Sequence, residues 1–249
     1  MNMVVCVSQV PDTAASVKIG SDEKHIEERD VTYVVNPYDE FAVEAALRLK
    51  ESGEGSVTVM GIGPDRVSQA LRSCLALGCD EAVHLKTPET VDDPLQQARL
   101  YASALEDRPY DLILIGKQSV DDDTQAQGPM LATILGIPCL TEIVSLDLSD
   151  GSVTITREVE GGKQTATCGL PALVTAQKGL NEPRYASLKG IMAAKKKEIA
   201  ELEIDQGDAT LEIEKITLPP SRPEGRIVGE GTDAVVELVR LLKEEAKVL

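Results

Sequence analysis

The stretch from Gly116 to Pro129 has the residue types best suited to binding chemistry, because it joins a buried apolar run to a helical pattern. Glycine at a strand end admits close approach, and backbone N–H groups before a helix favour a phosphate. Three consecutive aspartates, Asp121 to Asp123, would repel an anion. Their carboxylates could instead accept hydrogen bonds from ribose hydroxyls, cap the helix or bind a cation. An acidic, solvated first helical turn is the structural alternative, and the residues alone support both interpretations about equally.

Two other segments combine a strand end with a helix start or a turn. Asn36-Pro37-Tyr38-Asp39 suits a helix N-cap followed by proline at the first helical position. Ile62-Gly63-Pro64 suits a turn after a strand. Each segment alone is explained by local structure, but three such ends on one edge of a parallel sheet predict a binding site. No Gly-x-Gly-x-x-Gly or P-loop sequence is present, so a nucleotide would need a different arrangement.

Residue sets for catalysis or metal binding are missing from the sequence. His25 and His84 are far apart, there is no Cys-x-x-Cys, and no Gly-x-Ser-x-Gly occurs. The five cysteines are odd in number and scattered, which favours reduced thiols. We therefore expect no catalytic residues and no metal site.

The charge balance excludes several classes of function. With 25 Lys and Arg against 42 Asp and Glu, the net charge is −17, which disfavours nucleic acid and anionic membrane surfaces. The chain has one Phe and no Trp, so few aromatic side chains are present on which nucleic-acid bases could stack. No apolar run is long enough to span a bilayer, and the N-terminus has no cationic n-region. We expect a cytoplasmic protein of bacterial or archaeal type without membrane insertion.

The elements that must position these segments alternate between strand and helix over the first two-thirds of the chain. Apolar runs such as Met3–Val10 and Asp111–Ile115 predict strands, with amphipathic helices between them. The fold class is therefore α/β, a mostly parallel doubly wound sheet with helices on both faces. Period-two segments over 141–168, with turns at Asp150-Gly151 and Gly161-Gly162, predict an antiparallel hairpin insertion. A C-terminal arm ends in a helix over 232–246.

The segment from Asn181 to Lys197 is a basic island on an acidic chain. It combines Tyr185, the apolar residues Leu188, Ile191 and Met192, and a lysine triplet. A helix with a snorkelling basic end is the structural alternative. We favour a docking loop, in which an apolar anchor is surrounded by charge that steers a partner.

These segments together make the chain resemble the beta subunit of electron-transfer flavoproteins over nearly its whole length. The resemblance is carried by Val7–Asp12, Asn36–Glu44, Gly63–Arg66, Gly116–Gly128 and Leu180–Lys197. It implies a heterodimer with an alpha subunit that holds most of one FAD, while the beta subunit holds a structural AMP. Such a carrier takes electrons from acyl-CoA or related dehydrogenases in fatty acid oxidation and passes them to a quinone oxidoreductase. It has no catalytic residues of its own.

The resemblance also assigns site residues. AMP would contact residues at four positions along the chain: Cys6; Asn36, Pro37, Tyr38 and Asp39; Ile62; and Gly116, Lys117, Gln118, Ser119, Val120, Asp121, Asp122, Asp123, Thr124, Gln125, Ala126 and Gln127. The flavin wall would be formed by Pro11, Asp12 and Thr13. A recognition loop at 179–198 would dock the dehydrogenase through Arg184, Tyr185, Leu188, Ile191, Met192, Lys195, Lys196 and Lys197, with Leu188 as the anchor. The nucleotide-binding domain would span 1–203, and the arm of 204–249 would pack on the partner subunit.

Two alternatives remain. Electron-bifurcating members of the family place a second FAD where AMP lies and contact NADH. The segments Asn36–Asp39, Thr90–Asp93 and Asp121–Asp123 depart from the bifurcating pattern and favour AMP, whereas 124–129 is closer to it. The other alternative is a stand-alone adenine-nucleotide-binding protein with the same α/β core.

Overall fold

A computed structural model describes residues 1–53, 55–221 and 224–249. The predicted arm of 204–249 includes residues 222 and 223, which lie outside the described residues. Within the described ranges the strands are β1 (Asn2–Cys6), β2 (Gln9–Pro11), β3 (Tyr33–Val35), β4 (Ser56–Gly63), β5 (Glu81–Lys86), β6 (Leu112–Gly116), β7 (Cys139–Ser149), β8 (Ser152–Val159), β9 (Gly162–Gly169), β10 (Ala172–Ala176) and β11 (Ala200–Glu203). The helices are α1 (Pro37–Ser52), α2 (Val67–Leu77), α3 (Pro94–Leu105), α4 (Gln127–Leu135), α5 (Leu188–Ala194) and α6 (Ala234–Glu244).

The main sheet has nine strands in the order β11-β5-β4-β1-β6-β10-β7-β8-β9. All pairs from β11 to β7 are parallel. The pairs β7–β8 and β8–β9 are antiparallel, and the turns between them place Asp150, Gly151 and Gly161 at positive φ. The predicted mostly parallel α/β sheet with an antiparallel hairpin insertion is confirmed.

Helices cover both faces of this sheet because successive strand side chains point to opposite sides. In β1, Met3 and Val5 join a core cluster with residues of α1 and α2. Val4 and Cys6 join a second cluster with residues of α3 and α4. The doubly wound arrangement predicted from the alternating pattern is therefore confirmed.

Two elements differ from the sequence prediction. The single strand predicted over Met3–Val10 is wrong, because β1 ends at Cys6 and β2 pairs antiparallel with β3 in a separate sheet. Strand β11 was not predicted, since Ala200–Glu203 has two glutamates and no β-branched residue. It is held as an edge strand by parallel pairing with β5.

The chain divides into two compact units after Lys215. The first unit contains both sheets and the helices α1 to α5. The second, residues 216–249, contains α6, where Arg240 pairs with Glu237 and Glu244 at 2.7 Å each. Val235, Val236, Leu238 and Val239 of α6 are exposed.

Candidate functional site

The predicted strand ends meet at the carboxyl edge of the parallel sheet. Cys6 at the end of β1 is paired with Met60 of β4 and with Ile115 of β6. Gly116 at the end of β6 is paired with Ala176 of β10. The segments that follow β1, β4 and β6 therefore come together at one edge, where open α/β sheets bind ligands. Asn36, which follows β3 of the separate sheet, reaches this edge through its hydrogen bond to the carbonyl of Gln118.

Asp39, in the first turn of α1, ties these strand ends together. Its Oδ2 accepts the N–H of Ser8 at 2.7 Å, and its Oδ1 accepts the N–H of Gly116 at 2.8 Å. The side chain is 1% exposed. Burial raises the pKa of Asp39 to about 7, although the hydrogen bonds from Ser8 and Gly116 act in the opposite direction. The carboxyl group is thus a structural link between the segment after β1, the end of β6 and α1.

The N–H groups of Gly116 and Lys117 both have partners within the protein, and a phosphate beside the turn that follows them stays a prediction. Gly116 N–H donates to Asp39, and Lys117 N–H donates to the carbonyl of Ala176 at 2.9 Å. Glycine at 116 serves close packing, because a Cβ there would lie 2.5 Å from Asp39 Oδ1 and 2.7 Å from Tyr38 Cβ. Further along the loop, Lys117 Nζ lies 5.4 Å from the centre of the Tyr38 ring.

Asn36 precedes α1 but does not cap it through its side chain. Its Nδ2 donates to the carbonyl of Gln118 at 2.9 Å, and its Oδ1 accepts the N–H of Val120 at 3.3 Å. The residue is 1% exposed. Asn36 therefore holds the start of the acidic loop, residues 117–126, against the sheet edge.

The three aspartates of the acidic loop bond mainly within the loop. Asp121 accepts from Ser119 and from its neighbour's N–H, Asp122 accepts from Thr124, and Asp123 accepts from Gln118. The helix α4 begins with Ala126 at the cap position and no side-chain cap, so the aspartates do not cap it. In the described part of the chain, no group of three His, Cys, Asp or Glu could hold a metal ion.

The remaining predicted AMP contacts lie around this loop. Cys6 is fully buried, and burial together with the nearby Asp39 raises the pKa of its thiol. Ile62 is half-buried near the end of β4. Gln125 donates to Gln118 at 3.1 Å, and Gln127, at the start of α4, donates to Gln97 of α3. The structure thus gathers the predicted residues, but whether they contact AMP stays a prediction.

The predicted flavin wall lies at the end of β2. The Asp12 N–H donates to the carbonyl of Thr32 at 2.8 Å, and the Asp12 carboxylate accepts the N–H of Ala14 at 2.8 Å. Thr13 is exposed and Pro11 half-buried. Their contact with a flavin stays a prediction.

The support that Arg66 gives to β2 and β3 was not predicted from the sequence. Its guanidinium lies 4.0 Å from the centre of the Tyr33 ring, and its Nη1 donates to Gln9 Oε1 at 2.9 Å. Gln9 in turn donates to the Arg66 carbonyl at 2.9 Å. Arg66 directly follows the Gly63-Pro64-Asp65 turn, which was the available signal for it. It fixes β2 and β3 to the end of β4.

Asp93 is the other residue whose role was missed. Its carboxylate caps α3 by accepting the N–H of Leu95 at 2.8 Å, and it also accepts the Thr210 hydroxyl at 2.6 Å. Although burial alone would raise its pKa, hydrogen bonds from Thr210, Leu95 and Gln96 lower the pKa of Asp93 to about 2. The residue therefore ties the segment around Thr210 to α3.

The predicted docking segment, residues 179–198, is fixed to the fold at several points. Arg184 Nε pairs with the buried Glu44 at 2.7 Å, and its Nη1 pairs with Glu51 at 2.5 Å. Burial alone would raise the pKa of Glu44, but its bonds to Arg184 and Arg48 lower it. From the other side, Arg72 of α2 donates to the carbonyls of Ala194 and Lys197.

This segment presents apolar side chains to solvent. Tyr185 is 99% exposed, Leu188 is 81% exposed, and Ile191 and Met192 are 43% and 56% exposed. Lys195 and Lys196 are exposed as well. In contrast, Lys197 Nζ donates to the carbonyls of Cys79 and Asp80 at 2.6 and 3.1 Å. Arg184 and Lys197 thus hold the segment in place here, and their contact with a partner stays a prediction.

The fold and the site define a doubly wound α/β protein with polar loops at the carboxyl edge of its sheet and a projecting basic, apolar segment. A family model described as the electron transfer flavoprotein domain matches residues 24–206. Electron transfer flavoprotein subunit beta of Bradyrhizobium diazoefficiens is 42% identical over 252 residues, and that of Bacillus subtilis is 38% identical over 259; both comparisons cover 100% of each chain. The mouse subunit is 34% identical over 252 residues, covering 100% of this chain and 99% of its own.

The chain therefore belongs to the electron transfer flavoprotein family, as a beta-subunit member. The family has a role in electron transport and its members are flavoproteins, and beta subunits are electron carriers. The designation as a beta subunit implies an alpha subunit as partner. Among the helices in the described ranges, none combines the length and the apolar character needed to cross a membrane.

Proposed function

We propose that this chain carries electrons as the beta subunit of a heterodimer, taking them from acyl-CoA-type dehydrogenases through one FAD and passing them to a quinone oxidoreductase. The alpha subunit holds most of that FAD, and Pro11, Asp12 and Thr13 form part of its wall. Redox chemistry belongs to the bound flavin. The beta chain supplies a scaffold, a structural AMP site and a docking segment, and its arm of 204–249 packs on the alpha subunit.

The observation that carries the proposal is the way the docking segment is built. Arg184 and Arg72 hold its two sides against α1 and α2, while Tyr185 and Leu188 remain almost fully exposed. Exposed aromatic and aliphatic side chains on a fixed backbone suit an interface anchor, because little conformational freedom is lost on binding. The exposed Lys195 and Lys196 would attract an acidic partner surface.

The side chains of the acidic loop support AMP more than a ligand of higher charge. The loop has three carboxylates, Asp121 to Asp123, and one ammonium group, on Lys117. Its amides and hydroxyls, on Gln118, Ser119, Thr124 and Gln125, suit ribose and adenine hydrogen bonds. A single phosphate near Lys117 is repelled less than a pyrophosphate would be. AMP bound only to the native state would stabilise the fold by mass action.

Counting the released ligands tests the cofactor assignment. We expect acid treatment of the purified heterodimer to release one FAD and one AMP, measured by chromatography against standards. Two FAD and no AMP would instead establish the bifurcating arrangement with NADH contacts. A stable beta chain that binds ATP reversibly and purifies without an alpha subunit would support the stand-alone nucleotide-binding alternative.

Replacing the proposed anchor tests the docking segment separately. We expect Leu188→Ala to lower the rate of flavin reduction by a sub-saturating dehydrogenase roughly tenfold, because truncating a central apolar anchor costs about 1 to 2 kcal/mol of binding. FAD absorbance and AMP content should not change, since Leu188 lies outside the cofactor loops. The matched control is Val159→Ala, an exposed aliphatic side chain at the end of β8 that lies outside both the docking segment and the arm. Equal rates for the two variants would remove Leu188 from the interface.

A further inference from the structure

A cavity of about 590 Å³ lies between α2 and the docking segment. The volume lies in the range of small-molecule sites. None of its lining residues belongs to the acidic loop, so it is distinct from the proposed AMP site. Most of the apolar lining comes from α1, α2 and the docking segment, and it includes Val35, Val43, Leu77, Pro183, Ala186 and Ile191.

The cavity is elongated along α2. Residues of this helix line it from Ser68 to Leu77, a distance of roughly 14 Å at about 1.5 Å per residue. On the opposite side it is lined by Pro183 to Ala186 and by residues of α5. An extended apolar chain fits such a space better than a compact ring system.

The polar groups on the lining favour an anion. Arg184 is neutralised by Glu44 and Glu51. Arg72 uses its Nη1 on two backbone carbonyls, and within the described residues its other nitrogens and the Lys195 ammonium have no hydrogen-bond partner. Glu40 is the carboxylate in the lining, and it stands against two cations, Arg72 and Lys195. Cationic donors therefore outnumber carboxylate charge.

We propose that this cavity binds a small amphipathic anion. Its extended apolar body lies against Val43, Leu77 and Ala186, and its carboxylate or sulfonate lies beside Lys195 and Arg72. The apolar walls provide most of the affinity, and the two cations fix the orientation of the ligand. The proposal does not depend on which protein the docking segment meets.

Decanoate and decanol are matched probes for this site, titrated by calorimetry into the full-length chain purified with its alpha subunit. We expect saturable binding of decanoate, and binding of decanol about threefold weaker because an exposed charge pair contributes little. Lys195→Gln should remove most of the difference between the two probes. Binding without saturation, or an unchanged preference for decanoate in Lys195→Gln, would overturn the assignment.

A cavity-filling substitution locates the binding. Ala186→Phe should abolish binding of both probes, whereas Ala193→Phe on the same segment, at an exposed residue outside the lining, should bind them as the native chain does. Circular dichroism and the melting temperature check that both variants fold. If Ala186→Phe folds and binds decanoate with native affinity, the ligand lies elsewhere and the proposal is refuted.

Discussion

Gly190→Ala is expected to destabilise the chain and to weaken dehydrogenase docking, although alanine normally favours helices. A Cβ at residue 190 would lie 2.3 Å from the carbonyl oxygen of Ala76 in α2. Backbone cannot yield as a flexible side chain does, so α5 must move away from α2. Overpacking of this kind costs about 1 to 3 kcal/mol, which exceeds the gain of about 1 kcal/mol that alanine brings in a helix.

The displacement of α5 would also affect the presented side chains. The carbonyls of Ala194 and Lys197 would move from Arg72, and Leu188 lies two residues before the clash. We expect the rate of flavin reduction by a sub-saturating dehydrogenase to fall by at least tenfold. The measurements are the melting temperature of the heterodimer and that rate.

Gly162→Ala is the control for the Gly190 substitution. Gly162 lies in an exposed hairpin, and no atom lies within 4 Å of the added Cβ. The substitution should therefore leave the melting temperature and the rate of flavin reduction almost unchanged. A Gly190→Ala chain as stable and as active as this control would show that α5 does not need close contact with α2.

The features predicted well from sequence were those with a local pattern. The start of α1 at Asn36-Pro37 and the hairpin turns followed from residue types and periodicity. What failed was the assignment of partners to polar side chains. Asn36 occupies the cap position, but its amide bonds residues more than 80 positions later in the chain. No local pattern encodes such a contact, because it depends on how two strand ends meet in the sheet.

Close contacts of glycine could not be predicted for the same reason. Gly116 looks in sequence like a phosphate-binding glycine, and nothing in the local sequence marks Gly190 as a close contact. The structure shows that each leaves room for another part of the chain, Asp39 in one case and Ala76 in the other. The candidate site was therefore predicted as a set of segments, whereas the distribution of its hydrogen bonds required coordinates.

Asp39→Asn is expected to destabilise the chain by about 1 to 3 kcal/mol at pH 5, because either the buried N–H of Gly116 or the part-buried N–H of Ser8 loses its acceptor. The amide can accept from Ser8 or from Gly116, but its NH₂ group would face the other donor. A protonated carboxyl avoids this conflict, since its hydroxyl oxygen still accepts a hydrogen bond. Urea unfolding of the full-length chain measures the difference, with the exposed Asp107→Asn as a control.

The pH dependence of this difference has a definite sign. The pKa of Asp39 is about 7 in the folded chain, against an ordinary value of 3.8. Between about pH 4 and 7 the folded state therefore holds a proton that the unfolded state has lost, so the native chain loses stability as the pH rises. Asparagine does not titrate, so the deficit of Asp39→Asn should narrow from pH 4 to 7 and stay constant above it. A deficit that stays constant over that range would mean that the two N–H donors outweigh burial and that Asp39 is ionised throughout.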